Sequence, residues 1–153
     1  MKNLLVLSLL MSTSVFSATT GTLLLQGIVP QKISLIVTPI ASASGLDLSA
    51  SQTDLKVATV NEQSNSKTGY KVTVTSANLS KLKRTDGPEV FAYTMKYNGS
   101  AVALTSAAGT TVTSASTNAN VNKDVSITYA GIAPELMVEG TYNDVVTFTI
   151  AAQ

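Results

Sequence analysis

The side chains that most enzymes use for covalent or acid–base chemistry are scarce in this sequence. The chain has 153 residues and contains neither histidine nor cysteine. A Ser–His or Cys–His nucleophile, a thiolate, and an ordinary zinc or haem site are therefore excluded. The acidic residues Asp47, Asp54, Glu135 and Glu139 are scattered, and no motif pairs them. We expect no catalytic residue, no metal site and no cofactor.

The charge of the chain also disfavours two classes of partner. Ten Lys+Arg residues against nine Asp+Glu give a formal net charge of +1, which offers no electrostatic attraction for nucleic acid or an acidic membrane. The basic group Lys81, Lys83 and Arg84 is typical of a solvated loop rather than of a receptor contact. Tyr93 and Tyr97 alternate beside a hairpin signal, which favours packing over sugar stacking.

The first residues have the plan of a secretory signal peptide. Lys2 gives a positive start, an apolar run extends from Leu4 to Met11, and small residues follow up to Ala18. The run is too short to span a bilayer core, and no later stretch is long enough to do so. We predict a signal peptide at 1–17 with cleavage after Ser17, or alternatively after Ala18, and an exported, soluble mature chain.

The mature chain alternates between apolar and polar residues with the period of a β-strand. Strands are predicted over residues 22–29, 32–37, 55–60, 70–75, 91–97, 101–104, 125–129 and 142–150, polar connections over 61–69 and 76–88, and either a mobile loop or a weak edge strand over 105–122. Asn98-Gly99 is the strongest hairpin signal. Serine and threonine supply 39 residues and favour strands and turns over helices. The pattern predicts an all-β sandwich of the immunoglobulin-like kind, stabilised without disulfides by its core or by a partner.

Three stretches carry a family resemblance. They are Leu23–Pro30, which follows the pattern Leu-x-Leu-x-Gly-x-Val-Pro, the strand Gly69–Val74, and the closing stretch Gly140–Ile150. Together with the signal peptide, they make the mature chain similar to the pilin subunits of chaperone–usher fimbriae, particularly the cysteine-free class 5 and alternative kinds. Ala152 departs from the family, in which a penultimate aromatic residue is common.

The resemblance implies an incomplete immunoglobulin-like sandwich with an N-terminal donor strand. Residues 18–30 would be the donor-strand extension, and 31–153 would be a pilin sandwich domain with an open apolar groove. A periplasmic chaperone would fill the groove first, and the donor strand of a neighbouring copy or related pilin would replace it at an outer-membrane usher. The product would be a cell-surface fimbria that serves adhesion, with a host receptor as a further partner. The resemblance assigns Leu23, Leu25, Gly27 and Val29 to the donor strand, and Gly140, Tyr142, Val146, Phe148 and Ile150 to the strand that borders the groove and contacts the chaperone.

Two alternatives stay open at the level of sequence. Residues 22–29 would alternate in the same way if they formed an ordinary first strand of their own domain. The chain would then be a self-contained secreted β-sandwich that binds a glycan or a protein through its loops. The sequence favours a non-enzymatic fibre subunit over this binding module because the N-terminal and C-terminal stretches resemble the pilin pattern together.

Overall fold

A computed structural model describes residues 18–116 and 118–153, so the predicted signal peptide at 1–17 lies outside the described residues. The described chain is almost entirely β-structure. Its two helices are single 3-10 turns, at Ala41–Ala43 and Pro134–Leu136. No helix in this part of the chain is long and apolar enough to cross a membrane.

Eleven strands form in the described residues. In chain order they are β1 (Ile33–Pro39), β2 (Gln52–Ser64), β3 (Tyr70–Ser76), β4 (Lys81–Arg84), β5 (Val90–Ala92), β6 (Thr94–Tyr97), β7 (Ser100–Val102), β8 (Thr110–Ala115), β9 (Ala119–Tyr129), β10 (Tyr142–Asn143) and β11 (Val146–Ala152). Every pairing between them is antiparallel.

The strands form three sheets. The largest has the order β1-β2-β9-β6-β7, and the other two have the orders β11-β3-β8 and β10-β4-β5. One core contains buried side chains from all three, such as Val60 of β2, Val74 of β3 and Leu82 of β4. The predicted all-β sandwich is therefore confirmed.

Alternation explains why these sequences form a two-faced sheet. In β3, Tyr70, Val72 and Val74 are buried, while the residues between them are Lys71 and threonines. Because successive side chains of a strand point to opposite faces, one face packs on the core and the other stays in water. The outer faces are rich in serine and threonine, whose hydroxyls make the surface polar although only 12% of the residues are charged.

The predicted hairpin at Asn98-Gly99 is present. Asn98 has φ 48° and Gly99 has φ 82°, and Tyr97 pairs with Ser100 across the turn. Two successive residues with positive φ give the turn the twist that flanking strands prefer, and Asn-Gly adopts it most easily.

The single strand predicted over 91–97 is wrong, because the chain changes sheets at Tyr93. β5 pairs with β4 in the small sheet, whereas β6 pairs with β7 and β9 in the large one. The alternation continues through the crossing, so Phe91, Tyr93, Met95 and Tyr97 are all buried. The alternation of apolar residues indicates which side of the chain faces the core, but it does not change when the chain moves from one partner strand to another.

The two predicted polar connections contain strands, and of the two outcomes predicted for 105–122 the structure has the edge strand, β8. Residues 61–64 complete β2, 81–84 form β4, and 110–115 form β8. In β2 the reason is visible at Glu62, a charged residue type that is fully buried. Backbone pairing with both neighbouring strands and hydroxyl donors from the core compensate for the polarity of its side chain.

Candidate functional site

Two strand edges face each other without pairing. β1 pairs only with β2, and β11 pairs only with β3, within the described residues. Ile33 lies opposite Ser64, and Ala152 lies opposite Tyr70, on either side of the turn 65–69. β1 therefore begins where β11 ends, and the two strands run in opposite directions. Their Cα atoms come within 8 Å of each other.

These directions define two ends of the sandwich. We call the end that contains Lys32, the turn 65–69 and Ala152 the proximal end. The opposite end, which contains the loops 40–51 and 130–145, is the distal end. The N-terminal segment enters β1 at the proximal end.

An apolar cleft of about 360 Å³ lies between the two edges. Val37 and Pro39 of β1 form one wall, and Val146 and Phe148 of β11 form the other. The floor is the sandwich core itself, including Ile127. Val37 is 39% exposed and the wall residues of β11 are half-buried. A sandwich with unpaired strand edges and apolar walls in water is a template for an added strand.

A wider cleft of about 700 Å³ adjoins it at the distal end. Loop residues 43–49 and the stretch from Ile132 to Asp144 contribute its lining, and Leu46 and Leu82 belong to both clefts. The exposed acidic residues Asp47 and Glu139 are among the lining residues. The opening between the two sheets is therefore apolar along β11 and becomes acidic at the distal rim.

Asp144 fixes the distal end of the apolar cleft. Its carboxylate accepts hydrogen bonds from Ser76 Oγ at 2.6 Å, from the Asn78 backbone N–H at 3.0 Å and from the Tyr93 hydroxyl at 2.7 Å. Burial and the bond to Asp144 raise the pKa of the Tyr93 hydroxyl, so it remains a donor. With these partners, Asp144 turns inward at the point where β11 begins.

The single strand predicted over 142–150 is wrong, because the inward turn at Asp144 divides it into β10 and β11. Tyr142 belongs to β10 and pairs with Arg84 in the small sheet, and its hydroxyl donates to the Val138 carbonyl at 2.8 Å. Gly140 has φ 150°, and a Cβ added there would lie 2.9 Å from Arg84 Cδ. Gly140 and Tyr142 line the wider cleft.

The remaining predicted groove residues lie on β11. Val146 and Phe148 form the wall of the apolar cleft, and the Phe148 ring packs 5.9 Å from that of Tyr97. Ile150 is half-buried further along the same face, toward the proximal end. The structure thus brings three of the five predicted residues to the open edge and places the other two beside it.

Residues 22–29, predicted to form a strand, belong to no sheet in the structure. The whole segment 18–32 is exposed and has no helix or strand. Leu23, Leu25 and Val29 are 82%, 83% and 85% exposed, and Gly27 has nothing within 4 Å of an added Cβ. Leu24 and Ile28 on the other face are equally exposed. An isolated extended segment has no partner for its backbone, which is why the alternation alone does not produce a strand.

Asn65 fixes the point where this segment joins the domain. Its Nδ2 donates to the Pro30 carbonyl at 2.9 Å, and its Oδ1 accepts from the Lys32 N–H at 2.6 Å. The Asn65 backbone N–H also donates to the Lys32 carbonyl at 3.0 Å. Sequence reasoning missed this residue, because nothing local marks it as a partner of a chain segment more than thirty positions earlier.

A buried cluster around Glu62 was also missed. Its carboxylate accepts bonds from the hydroxyls of Tyr70 at 2.9 Å, Tyr97 at 2.5 Å and Thr113 at 2.7 Å. The donors lie on β3, β6 and β8, so the cluster joins the large sheet to the β11-β3-β8 sheet. Burial, with the Glu62 carboxylate as second cause, raises the pKa of Tyr70 to about 12. All three hydroxyls of the cluster donate to the same carboxylate, so the cluster links strands of two sheets.

The basic group proves to be divided. Arg84 Nε lies 2.6 Å from Glu89 Oε2, and its Nη1 lies 3.1 Å from Asp86 Oδ1. Lys81 and Lys83 are exposed on the outer face of β4, because Leu82 between them points into the core. Arg84 is therefore a structural ion-pair partner, and only the two lysines fit the predicted solvated surface.

The described residues contain no group of three or more acidic side chains that could hold a metal ion. Comparison of the chain with models of protein families finds no match, and comparison with curated proteins finds none either. The fold and the cleft by themselves define a class: an antiparallel β-sandwich with an apolar cleft between two unpaired edges and an exposed apolar segment at its N-terminal side.

Proposed function

We propose that the chain is a structural subunit of a surface fibre in which the N-terminal segment of one copy fills the apolar cleft of the next. One observation carries the proposal. The same chain presents an exposed apolar segment that belongs to no sheet and an apolar cleft between two unpaired strand edges. The segment supplies a strand backbone and apolar side chains, which are what the two unpaired edges lack.

The energetics of this exchange are favourable. Burying Leu23, Leu25 and Val29, at roughly 1.5–3 kcal/mol each, gives about 5–9 kcal/mol before any backbone hydrogen bond is counted. That is comparable to the whole stability of a small domain. Gly27 suits a position where the incoming backbone approaches the cleft floor closely.

The geometry favours contact between copies. The segment leaves the domain at the proximal end, where Asn65 holds it, while the cleft walls at residues 37–39 and 146–148 lie toward the distal end. A contact between two different surfaces of the same chain is head-to-tail, and when it does not close into a ring it produces a filament. The partner of each copy is therefore another copy or a related subunit.

The resemblance to chaperone–usher pilins supports the same mechanism and adds its cellular setting. On that basis a periplasmic chaperone shields the cleft after export, an outer-membrane usher receives the subunit, and the finished fibre serves adhesion at the cell surface. These partners rest on the resemblance of residues 23–30, 69–74 and 140–150 alone.

The test compares two chains by size-exclusion chromatography and thermal unfolding. The first is residues 31–153, and the second has residues 20–30 appended to its C-terminus through a flexible linker. We expect the first to aggregate or to melt without a sharp transition and the second to be a cooperatively folded monomer. A matched control carries Leu25→Asp in the appended strand and should not rescue the fold. If residues 31–153 already form a sharply melting monomer that the strand leaves unchanged, the proposal is wrong and the self-contained binding module replaces it.

A further inference from the structure

The proximal end of the sandwich carries positive charge without ion pairs. Lys32 is exposed beside the point held by Asn65, and Lys67 is exposed in the turn 65–69. Neither lysine belongs to any of the four ion pairs formed by described residues. The acidic residue of this region, Glu62, is fully buried and saturated by hydroxyl donors. The proximal surface is therefore locally basic although the whole chain is almost neutral.

The distal rim has the opposite sign. Asp47 and Glu139 are exposed, line the wider cleft and form no ion pair with described residues. Hydrogen bonds from the Ser49 hydroxyl and backbone N–H lower the pKa of Asp47, which keeps it negative. The Arg84 guanidinium nearby is already paired with Glu89 and Asp86.

The length of the segment decides which surfaces meet. Because β1 and β11 run in opposite directions, an inserted strand is antiparallel to one edge and parallel to the other whichever way it enters, so strand pairing alone does not select a direction. Insertion antiparallel to β11 places Val29 near Val146 at the distal end of the cleft. Lys32 is three positions after Val29, so their Cα atoms are at most about 11 Å apart. The proximal end of the incoming copy is thereby brought against the distal rim of its acceptor. Insertion in the reverse direction would instead bring two lysine-bearing ends together.

We infer that successive copies pair Lys32 and Lys67 of one copy with Asp47 and Glu139 of the next, and that this pairing selects the direction of strand insertion. The inference rests on the proposed strand donation and adds an electrostatic interface to it. Exposed pairs of this kind contribute more to the rate and orientation of association than to its strength.

The experiment uses the full chain and follows association by light scattering after dilution from denaturant at low salt. One variant changes the proximal end with Lys32→Glu and Lys67→Gln. A second changes the distal rim with Asp47→Asn and Glu139→Lys. Asparagine keeps the acceptor oxygen that Ser49 uses, and the backbone bonds of Lys32 do not involve its side chain. A third chain combines all four substitutions.

The control is Lys81→Glu, which lowers the net charge as the proximal variant does but on the outer face of β4, opposite Ala92 and outside the cleft lining. We expect association about tenfold slower in the proximal and distal variants, restored to within about twofold in the combined chain, and unchanged in the control. Salt should reduce these differences because exposed charges are screened. Equal slowing in the control, or no restoration in the combined chain, would overturn the inference.

A peptide of residues 20–30 separates this inference from the proposed function. Peptide that occupies the cleft should block association of the unmodified chain, and if it does not bind, strand donation itself is wrong. If the peptide blocks association while the charge variants behave as the unmodified chain does, strand donation stands and only the charge pairing is refuted.

Discussion

Replacing Tyr97 by phenylalanine tests whether the buried carboxylate of Glu62 ties the two sheets together. The substitution removes one hydroxyl and leaves the ring, which packs beside Phe148. It deletes the 2.5 Å bond to Glu62 Oε1, while Tyr70 and Thr113 still donate to the same carboxylate. The perturbation is therefore a single hydrogen bond to a buried acidic group.

The expected cost follows from the kind of bond that is lost. A hydrogen bond to a charged group contributes about 1.5–3 kcal/mol, and a bond between neutral groups about 0.5–1.5 kcal/mol. Tyr129→Phe is the matched control, because its hydroxyl donates to a neutral acceptor, the Asp47 backbone carbonyl, at 3.1 Å. We expect Tyr97→Phe to lower the free energy of unfolding by about twice as much as Tyr129→Phe.

Both variants should be measured in the chain that carries the appended strand, by urea unfolding with fluorescence and circular dichroism as independent probes. If the midpoint falls while the slope of the free energy of unfolding against urea concentration is unchanged, the loss of stability belongs to the folded state. A cost of Tyr97→Phe no larger than that of Tyr129→Phe would refute the reasoning, since the cluster would then contribute nothing beyond an ordinary hydrogen bond.

The first two of three further predictions use the chain with the appended strand. Raising the pH above 10 should lower the free energy of unfolding, since unfolded tyrosines ionise at their ordinary pKa of 10.0 while Tyr70 keeps its proton until about 12. The loss is on the order of 1 kcal/mol for each pH unit above 10 and each such tyrosine, so free energies of unfolding from urea titrations at about pH 8 and 11 should differ by about that amount per tyrosine, and by less in Tyr70→Phe. Gly69→Ala and Gly99→Ala both place alanine at positive φ, but only the first drives a methyl group into a strand backbone. The free energy of unfolding from thermal melts should therefore fall by about 1–2 kcal/mol in Gly99→Ala and by clearly more in Gly69→Ala. Equal losses in the two variants would contradict this. In the full chain, Asn65→Ala should speed amide hydrogen exchange at Lys32 at least about tenfold by removing its acceptor, whereas the control Asn61→Ala, which loses bonds to β9 and to the Gln63 side chain and none to Lys32, should not.

Much of the fold could be predicted because it depends on local patterns. The clean alternation of β3 and the Asn-Gly turn are properties of a few consecutive residues, and both are present. The inward residues from Phe91 to Tyr97 were also identifiable, although their division between two sheets was not. A strand's partner is chosen by distant segments, and the alternation of its side chains contains no record of that choice.

The site residues that could not be predicted from the sequence are positioned by side chains distant along the chain. Glu62 lies in a polar stretch, and its donors Tyr70 and Tyr97 are 8 and 35 positions away. Asp144 interrupts the last predicted strand because Ser76 and Tyr93 reach it from other strands. Such polar residues resemble surface residues in sequence, and only the assembled sandwich supplies the donors that permit their burial.

The short connection between the N-terminal segment and β1 has a mechanical consequence for the proposed fibre. Only Pro30, Gln31 and Lys32 lie between the proposed donor residues, which end at Val29, and β1. Asn65 holds this connection by three hydrogen bonds. A pull along the fibre would act along the inserted strand, so its hydrogen bonds to both edges would be loaded together in shear and not opened one at a time. Tension would thus be resisted by the whole strand at once, and the joint itself would leave little slack for bending between successive copies.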